Sequence, residues 1–462
     1  MKKILTIILF VCLALAVAYG AAGYWVGGQA QNQHDRLIAQ INRSNYMEAS
    51  IKSYERGLFS SRALTTFTLA LPEGGNPIKF SIINHIYHGP FVFLENPHLK
   101  RNLRLVLAVI QTRLAPGDSG ETLKTALEKI PELESSEVLT VLSIDGSGES
   151  YFDVPSFRKK FQDEKGEQVE VEWSGFSGQS KFDALLGEVT GSYSAPSLQM
   201  TGQDQLLLVK DIEGDFNSYP AIKGISVGST NFSVGSIEGM EKENRSFNLS
   251  SLRLKAESGV AGEAINGSLL LSFDKLKAGE MGLGPFAMEF EVRKLDAEVL
   301  ARFQKIVPEL RKKTLEQSEK TNGEIEKQVT EIMTDLLAKS PEFEIKQLTI
   351  RTDKGDLSGR ANLDFAGGKN PAGNILALLG SLEASAELSV SEALLYLVAE
   401  NVFRNASAKD PESAKTGANA LVMGLMAGNY IISEGGSFKS SATFKHGVLT
   451  VNGRKLDLSN LP

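Results

Sequence analysis

Between Lys3 and Asp35 the chain carries no charged side chain, and from Ile4 to Val26 (ILTIILFVCLALAVAYGAAGYWV) nearly every residue is apolar or small. At about 1.5 Å of rise per residue, a helix of that length covers roughly 34 Å, enough for a hydrocarbon core about 30 Å thick. A helix is also the one single-segment structure that satisfies its own backbone in lipid. Beyond about residue 30 the chain reads as water-soluble. The first constraint is therefore a single anchor, residues 1–28, holding one large extramembrane body.

Lys2 and Lys3 precede the span, so the positive-inside rule keeps them in the cytoplasm and puts the body in the periplasm. Tyr24 and Trp25 stand where an interfacial aromatic belt would sit. The rival reading is a cleaved signal peptide, with Ile4 to Val17 as its apolar region and Ala16-Val17-Ala18 as the small-residue site. The apolar run continues for eight residues past Ala18, which favours a retained anchor. Phe10 and Val11 before Cys12 do not fit a lipoprotein cysteine.

Cys12 is the only cysteine, so the body has no disulfide of its own and no thiolate metal cluster. A formal net charge of -7 without a basic stripe argues against nucleic-acid binding. The 43 glycines punctuate short segments, as many β-turns require.

Residues 29–45 place Leu37, Ile38 and Ile41 at helical spacing and predict a short membrane-proximal helix. Residues 46–295 form a β-rich region. Phe67, Leu69 and Leu71 alternate with threonines and Ala70, Arg56-Gly57 turns or bulges that run, and Gly89-Pro90 ends the next one. Residues 100–115 fit strand or helix, and residues 121–134 make a short amphipathic segment. Then come VLTVLSIDGSGE, VEVEWSGFSGQSKF, DQLLLVKDIEGDF, FNLSSLRLKAES and INGSLLLSFDKLKAG, separated by short turns, which predicts an antiparallel meander. Residues 296–340 are helical, with Asp296 as N-cap and a break or kink at Pro308. Residues 341–462 hold hairpins and helices, the helices over 390–428 on either side of Asp410-Pro411, with turns at His446-Gly447 and Asn452-Gly453. The predicted class is mainly β with flanking helices (α+β): an extended antiparallel meander sheet plus one N-terminal transmembrane helix.

Motifs that carry chemistry are missing. The chain has no H-E-x-x-H, no G-x-S-x-G elbow, no phosphate loop and no dinucleotide fingerprint. Of five histidines, His85 and His88 are the close pair, and on a strand they point to opposite faces. No catalytic, cofactor-binding or metal-ligating residue is expected, and no enzymatic activity.

Three stretches together resemble the YdgA-like family of bacterial inner-membrane-anchored proteins, a domain of unknown function. Tyr54, Arg56, Gly57, Phe59, Ser60 and Ser61 match a Y-x-R-G-x-F-S-S signature. His88, Gly89, Pro90 and Phe91 match the H-G-P-F that follows it. Gly447, Thr450, Asn452 and Gly453 match a closing G-x-x-T-x-N-G hairpin. The resemblance runs from the anchor to the C-terminus. It implies a bacterial inner-membrane protein with a periplasmic body and transfers no catalytic residue. Glycine at turns and a ladder-breaking proline suit an architectural role for these residues.

The expected function is that of a non-enzymatic envelope protein, binding or scaffolding. The alternative is a lipid or amphiphile carrier using an apolar β-groove. Expected partners are the membrane through the N-terminal helix, a second copy of the chain or a lipid, and no nucleic acid. For the apolar face of the meander, the favoured reading is a core covered by the two helical segments.

Overall fold

The computed structural model describes residues 23–42 (without 33, 37 and 40), 47–69, 77–89, 92, 96, 98, 106–162, 166–241, 245–279, 281–315, 323–365, 381–406 and 411–456. Most of the predicted span lies outside the described residues. Among those described, no helix is long and apolar enough to cross a membrane. The architecture is mainly antiparallel β-sheet with a few helices, in two compact units. One holds residues 1–199 with 213–219 and 308–320. The other holds 200–212, 220–307 and 321–462.

The first unit opens with helix α1 (residues 23–42) and continues with β1 (Met47–Arg56), β2 (Ser60–Leu69), β3 (Ile78–His88) and β4 (Ala108–Leu114). Helix α2 (Glu121–Lys129) separates β4 from β5 (Glu137–Leu142) and β6 (Gly148–Val154). Then follow β7 (Phe157–Gln162), β8 (Gln168–Trp173), β9 (Phe176–Phe182) and β10 (Val189–Thr201). Strands β1 to β6 pair antiparallel in chain order, as the short connections require. The β7–β8 hairpin then leaves the meander, so that β9 pairs with β6 and β10 with β9. The stretch 100–115, undecided from periodicity, is strand where β4 runs, and its β-branched residues Val109, Ile110 and Thr112 suit the ladder. The core of this unit lies between α1 and the sheet: Val26 and Ala30 from the helix meet Ala63, Ile86, Ala108, Ile110 and Leu142.

Strand β11 (Gln205–Pro220) contributes residues to both units. The second unit carries β12 (Ser226–Glu241), β13 (Arg245–Ala261), β14 (Ala264–Phe273), β15 (Lys275–Ala278) and β16 (Met281–Asp296). Two helices follow, α3 (Ala297–Leu315), whose residues from Pro308 onward belong to the first unit, and α4 (Gly323–Ala338), before β17 (Glu342–Thr352), β18 (Gly355–Phe365) and β19 (Leu382–Ser391). A second helix pair, α5 (Glu392–Ala406) and α6 (Pro411–Ala427), precedes β20 (Ile432–Glu434), β21 (Ser437–Lys445), β22 (Val448–Val451) and β23 (Arg454–Leu456). Asp296 caps α3 as expected, its Oδ1 accepting from the Glu298 and Val299 amides at 3.0 Å. Pro308 neither ends nor splits α3, which is assigned unbroken to Leu315.

Both helix pairs do the same topological job. Strand β16 pairs antiparallel with β17, and β19 with β21, although α3–α4 and α5–α6 intervene in the chain. Each helix pair is an excursion between two strands that are neighbours in the ladder. A second regularity crosses β12 to β16. The apolar alternation changes phase at one level, between Val234 and Ile237, Leu252 and Leu249, Phe273 and Leu276, and Phe286 and Leu283. Neighbours keep register through the step because all of the strands take it together. Ser251 (φ 56) and Gly284 (φ 132) hold the backbone conformations that make it.

Candidate functional site

The register of the second unit sorts its residues into two faces. Opposite one another across β14, β16, β17, β18, β19 and β21 stand Leu269, Phe290, Ile345, Ala361, Ala386 and Ala442. The level below carries Leu271, Met288, Leu348, Gly359 and Leu388. Five inter-strand steps of about 4.8 Å make this apolar band roughly 24 Å wide. The intervening positions, such as Glu291, Glu344, Asn362, Ser385 and Thr443, are polar and also stand opposite one another. Their charges are largely neutralised in place. Arg293 bonds Glu342 (2.9 Å) and Glu344 (2.6 Å), Lys346 reaches Glu291 at 2.8 Å, and Arg360 reaches Glu387 at 2.7 Å. Hydrogen bonds that Arg293 donates to Glu342 and Glu344 hold its guanidinium above its ordinary pKa, and the bond donated by Lys346 holds the Glu291 carboxyl below its own.

Among the described residues, the two helix pairs pack on the apolar face at its ends. Leu394 of α5 packs on Leu357, Val390 and Phe438, backed by Ala418 and Val422 of α6. At the other end Ala297 and Leu300 of α3 pack on Val227, Ile265 and Leu295. Between them Leu254, Leu269, Leu271, Phe290, Phe343 and Leu363 are only partly buried, and Leu388 is 42% exposed. Within this open stretch lies a groove of about 360 Å³, within the range typical of small-molecule sites. Its floor is low because Ala361, Ala384, Ala386 and Ala442 supply only methyl groups, while Phe290, Phe343 and Leu363 rise on one side and Phe444 and Leu449 on the other.

In the first unit the notable site is the seat of α1. Gly27 lies against the imidazole of His88, where an added Cβ would come within 2.5 Å of Cε1. Gly23 meets the Phe59 ring in the same way, and Gly28 meets the Arg56 guanidinium. The Arg56 guanidinium covers the Tyr24 ring, 4.1 Å from its centroid, and donates to the Tyr24 carbonyl. Further along the helix, His34 Nε2 lies 3.3 Å from Asn84 Nδ2, and its ring is tilted against Tyr54. At the far end the Asn42 side chain bonds both backbone groups of Ala49 on β1, at 2.6 and 2.9 Å. The seat is shaped by the β1–β2 turn: Gly57 donates to the Ser60 carbonyl at 2.8 Å, and His88 N donates to the Phe59 carbonyl at 3.0 Å. Ser61 Oγ and His88 Nε2 are 3.0 Å apart and buried.

The model of a family described as "Bacterial protein of unknown function (DUF945)" matches residues 1–459. The chain belongs to the DUF945 family. No curated protein and no solved structure matches it.

In this DUF945 chain the structure brings together Tyr54, Arg56, Gly57, Phe59, Ser61 and His88 around one helix, and Gly89 (φ 138) turns the strand beside Phe59. Pro90 and Phe91 lie outside the described residues. Gly447, Asn452 and Gly453 belong to the second unit. There the hairpin turns take positive φ at His446, Gly447, Asn452 and Gly453. Asn452 exchanges side-chain bonds with Asn429 at 2.9 and 3.0 Å, and its Oδ1 accepts from the Ser441 amide at 2.8 Å, which ties the hairpin to the end of α6.

Ser61 and His88 stand at the separation of a nucleophile and its base. Both are buried beneath α1, and no carboxylate orients His88 Nδ1, which has no hydrogen bond of its own. The pair holds the helix seat. Among the described residues, no group of three or more histidine, cysteine or carboxylate side chains is placed to hold a metal. Sequence reading missed Gly23, Gly27, Gly28 and Asn42. The i, i+4 spacing of Gly23 and Gly27 was the available signal, and it was absorbed into the membrane span.

Proposed function

We propose that this chain is a non-catalytic protein of the bacterial envelope that shelters the hydrocarbon part of an amphiphile on the apolar face of its second unit. The observation that carries the reading is the alanine-floored groove in a sheet face left partly exposed between two helical caps. Every strand lining it already has partners on both sides, apart from the last short ones. A peptide laid across that face would leave its own backbone groups unpaired, at a cost of roughly 1–3 kcal/mol for each buried one. A hydrocarbon chain has no such groups and gains about 0.8 kcal/mol per methylene buried. The anchor, the inner-membrane address, the periplasmic body and the YdgA-like label complete the proposal, on the charge pattern around Ile4–Val26 and on the motifs quoted above.

The test is native mass spectrometry of the full chain after gentle extraction, with and without Ala386→Trp and Ala442→Phe, which fill the groove. Phospholipid or fatty acid bound to the parent, and reduced at least about tenfold in the double variant, supports the reading. Lipid retained equally by both, or absent from a folded parent, rejects it. A second reading, a protein-binding or self-associating scaffold, is favoured by the exposed apolar side chains of α5 and α6, where Val398, Val402 and Met423 are 51%, 55% and 67% exposed. Crosslinks from these residues to another chain, with an empty groove, would favour it.

A further inference from the structure

The seat of α1 has an unusual make-up. The helix closes on two histidines, His34 on its own underside and His88 on β3, which are 4% and 2% exposed. Each has one ring nitrogen in contact, with Asn84 and Ser61 respectively, and each has an Nδ1 without a hydrogen bond. Tyr54 Oη and Thr65 Oγ1 are likewise buried and unpartnered. These polar atoms share the ground beneath the helix with the apolar cluster of Val26, Ala30, Ala63, Ile86 and Ala108. For a proton on these rings the seat offers Asp35 and the Gly23 and Ser60 carbonyls, set against burial and the Arg56 charge.

We infer that α1 is an acid-released strap: docked while both histidines are neutral, and detached from the sheet when they take up protons. The groups facing them set the direction. His88 meets Gly27 and Gly23 of α1, Arg56 of β1 and Ser61 of β2. A proton on its ring adds a second positive charge beside Arg56 in a closed site. The Gly23 and Ser60 carbonyls favour the charged form, and burial outweighs them, so its pKa is lowered. His34 meets Tyr54 of β1, Asn84 of β3 and Asp35 of its own helix, whose Oδ1 lies 3.6 Å from Nδ1. Burial again outweighs Asp35, and the pKa is lowered.

The sign follows. Docking lowers both pKa values below the free value of about 6.5, so the docked state binds fewer protons than the released one. The stability of docking is therefore complete above about pH 6.5 and is lost as the pH falls through the lowered values. Helix α1 begins at residue 23, inside the stretch 1–28 expected to be anchor, and packs Val26 on the sheet, so a membrane-embedded segment would have to end before it, and its state would set the slack between that segment and the body. Twenty residues cover about 30 Å as a helix and up to about 70 Å extended. The inference does not depend on the groove or its ligand.

The experiment is amide hydrogen exchange of residues 23–42 in the full chain, held in detergent or lipid discs, at pH 7.5 and pH 5.0, each corrected for the intrinsic rate. The expected result is a loss of protection of at least about threefold at pH 5.0, confined to this helix and its seat. In His88→Gln, which can still reach Ser61, and in His34→Gln, the pH response shrinks. In the double variant it disappears. Protection unchanged between the two pH values in the parent overturns the inference, as does a response that persists undiminished in both single variants. If the double variant fails to dock at any pH, the single variants decide.

Discussion

Three glycines on one side of a helix have a function that their side chains cannot reveal, because it lies in what they omit. Gly23, Gly27 and Gly28 let the backbone of α1 rest on Phe59, His88 and Arg56. Replacing Gly27 by leucine places a side chain where the imidazole lies, and overpacking of this kind costs about 2 kcal/mol. The thermal midpoint of the full chain is expected to fall, with exchange protection of α1 lost before that of β12–β19. An unchanged midpoint would mean that the helix does not sit there. At the other end of the chain, Asn452→Ala removes two side-chain bonds at a residue of φ 47 and is expected to cost about 1–3 kcal/mol in urea unfolding. Asn452→Gly keeps the backbone relaxed and separates the two contributions. If both variants are neutral, the Asn429–Asn452 exchange has no part in stability. The motif residues could be singled out from sequence as turn-formers. That six of them converge on a helix could not be, because the convergence depends on β1, β2 and β3 pairing in register.

Among the elements, the strands were the most legible. Alternation such as Phe67 and Leu69 among the threonines of β2, or Leu357, Ala361 and Leu363 of β18, maps onto ladders in antiparallel register. The helices over 296–340 and 390–428 were legible too. What they do was not, since nothing local says that β16 and β17, or β19 and β21, are neighbours across a pair of helices. The shared change of phase in β12 to β16 was equally hidden, because each strand alone shows only an irregular alternation. It yields a prediction. Gly284 sits at φ 132 with its missing Cβ pointed at the Asp274 carbonyl, so Gly284→Ala strains the step in both strands. Substitution where φ requires glycine is expected to cost more than about 1 kcal/mol, read as a lower urea midpoint at constant slope. A midpoint within error of the parent would show that the step can relax at no cost.

At the scale of the molecule, the favoured expectation for the sheet was a face roofed by the chain's own helices. Among the described residues, the roof exists at Val390 and Phe438 and again at Ile265 and Val227, while Phe290, Phe343 and Leu363 are only partly buried. The sequence marked those residues as one face. It had no means of marking the face as open, because the lengths of α3 to α6 do not say where they are laid. A folded chain with such a face is expected to enhance the fluorescence of an apolar dye such as ANS in native buffer, and a long-chain fatty acid should reverse the enhancement. No enhancement from the native chain would indicate that the face is occupied or closed in solution.

The Asn42 amide meets both backbone groups of Ala49 as a neighbouring strand would. It thus occupies the two backbone groups that a foreign strand would pair with at this point of β1. A chain in which Asn42 is replaced by alanine, or in which α1 has swung away, presents those groups unpaired, and two such chains could zip together rim to rim. Asn42→Ala is therefore expected to bare the Ala49 backbone groups on β1 and to raise self-association of the chain through that strand.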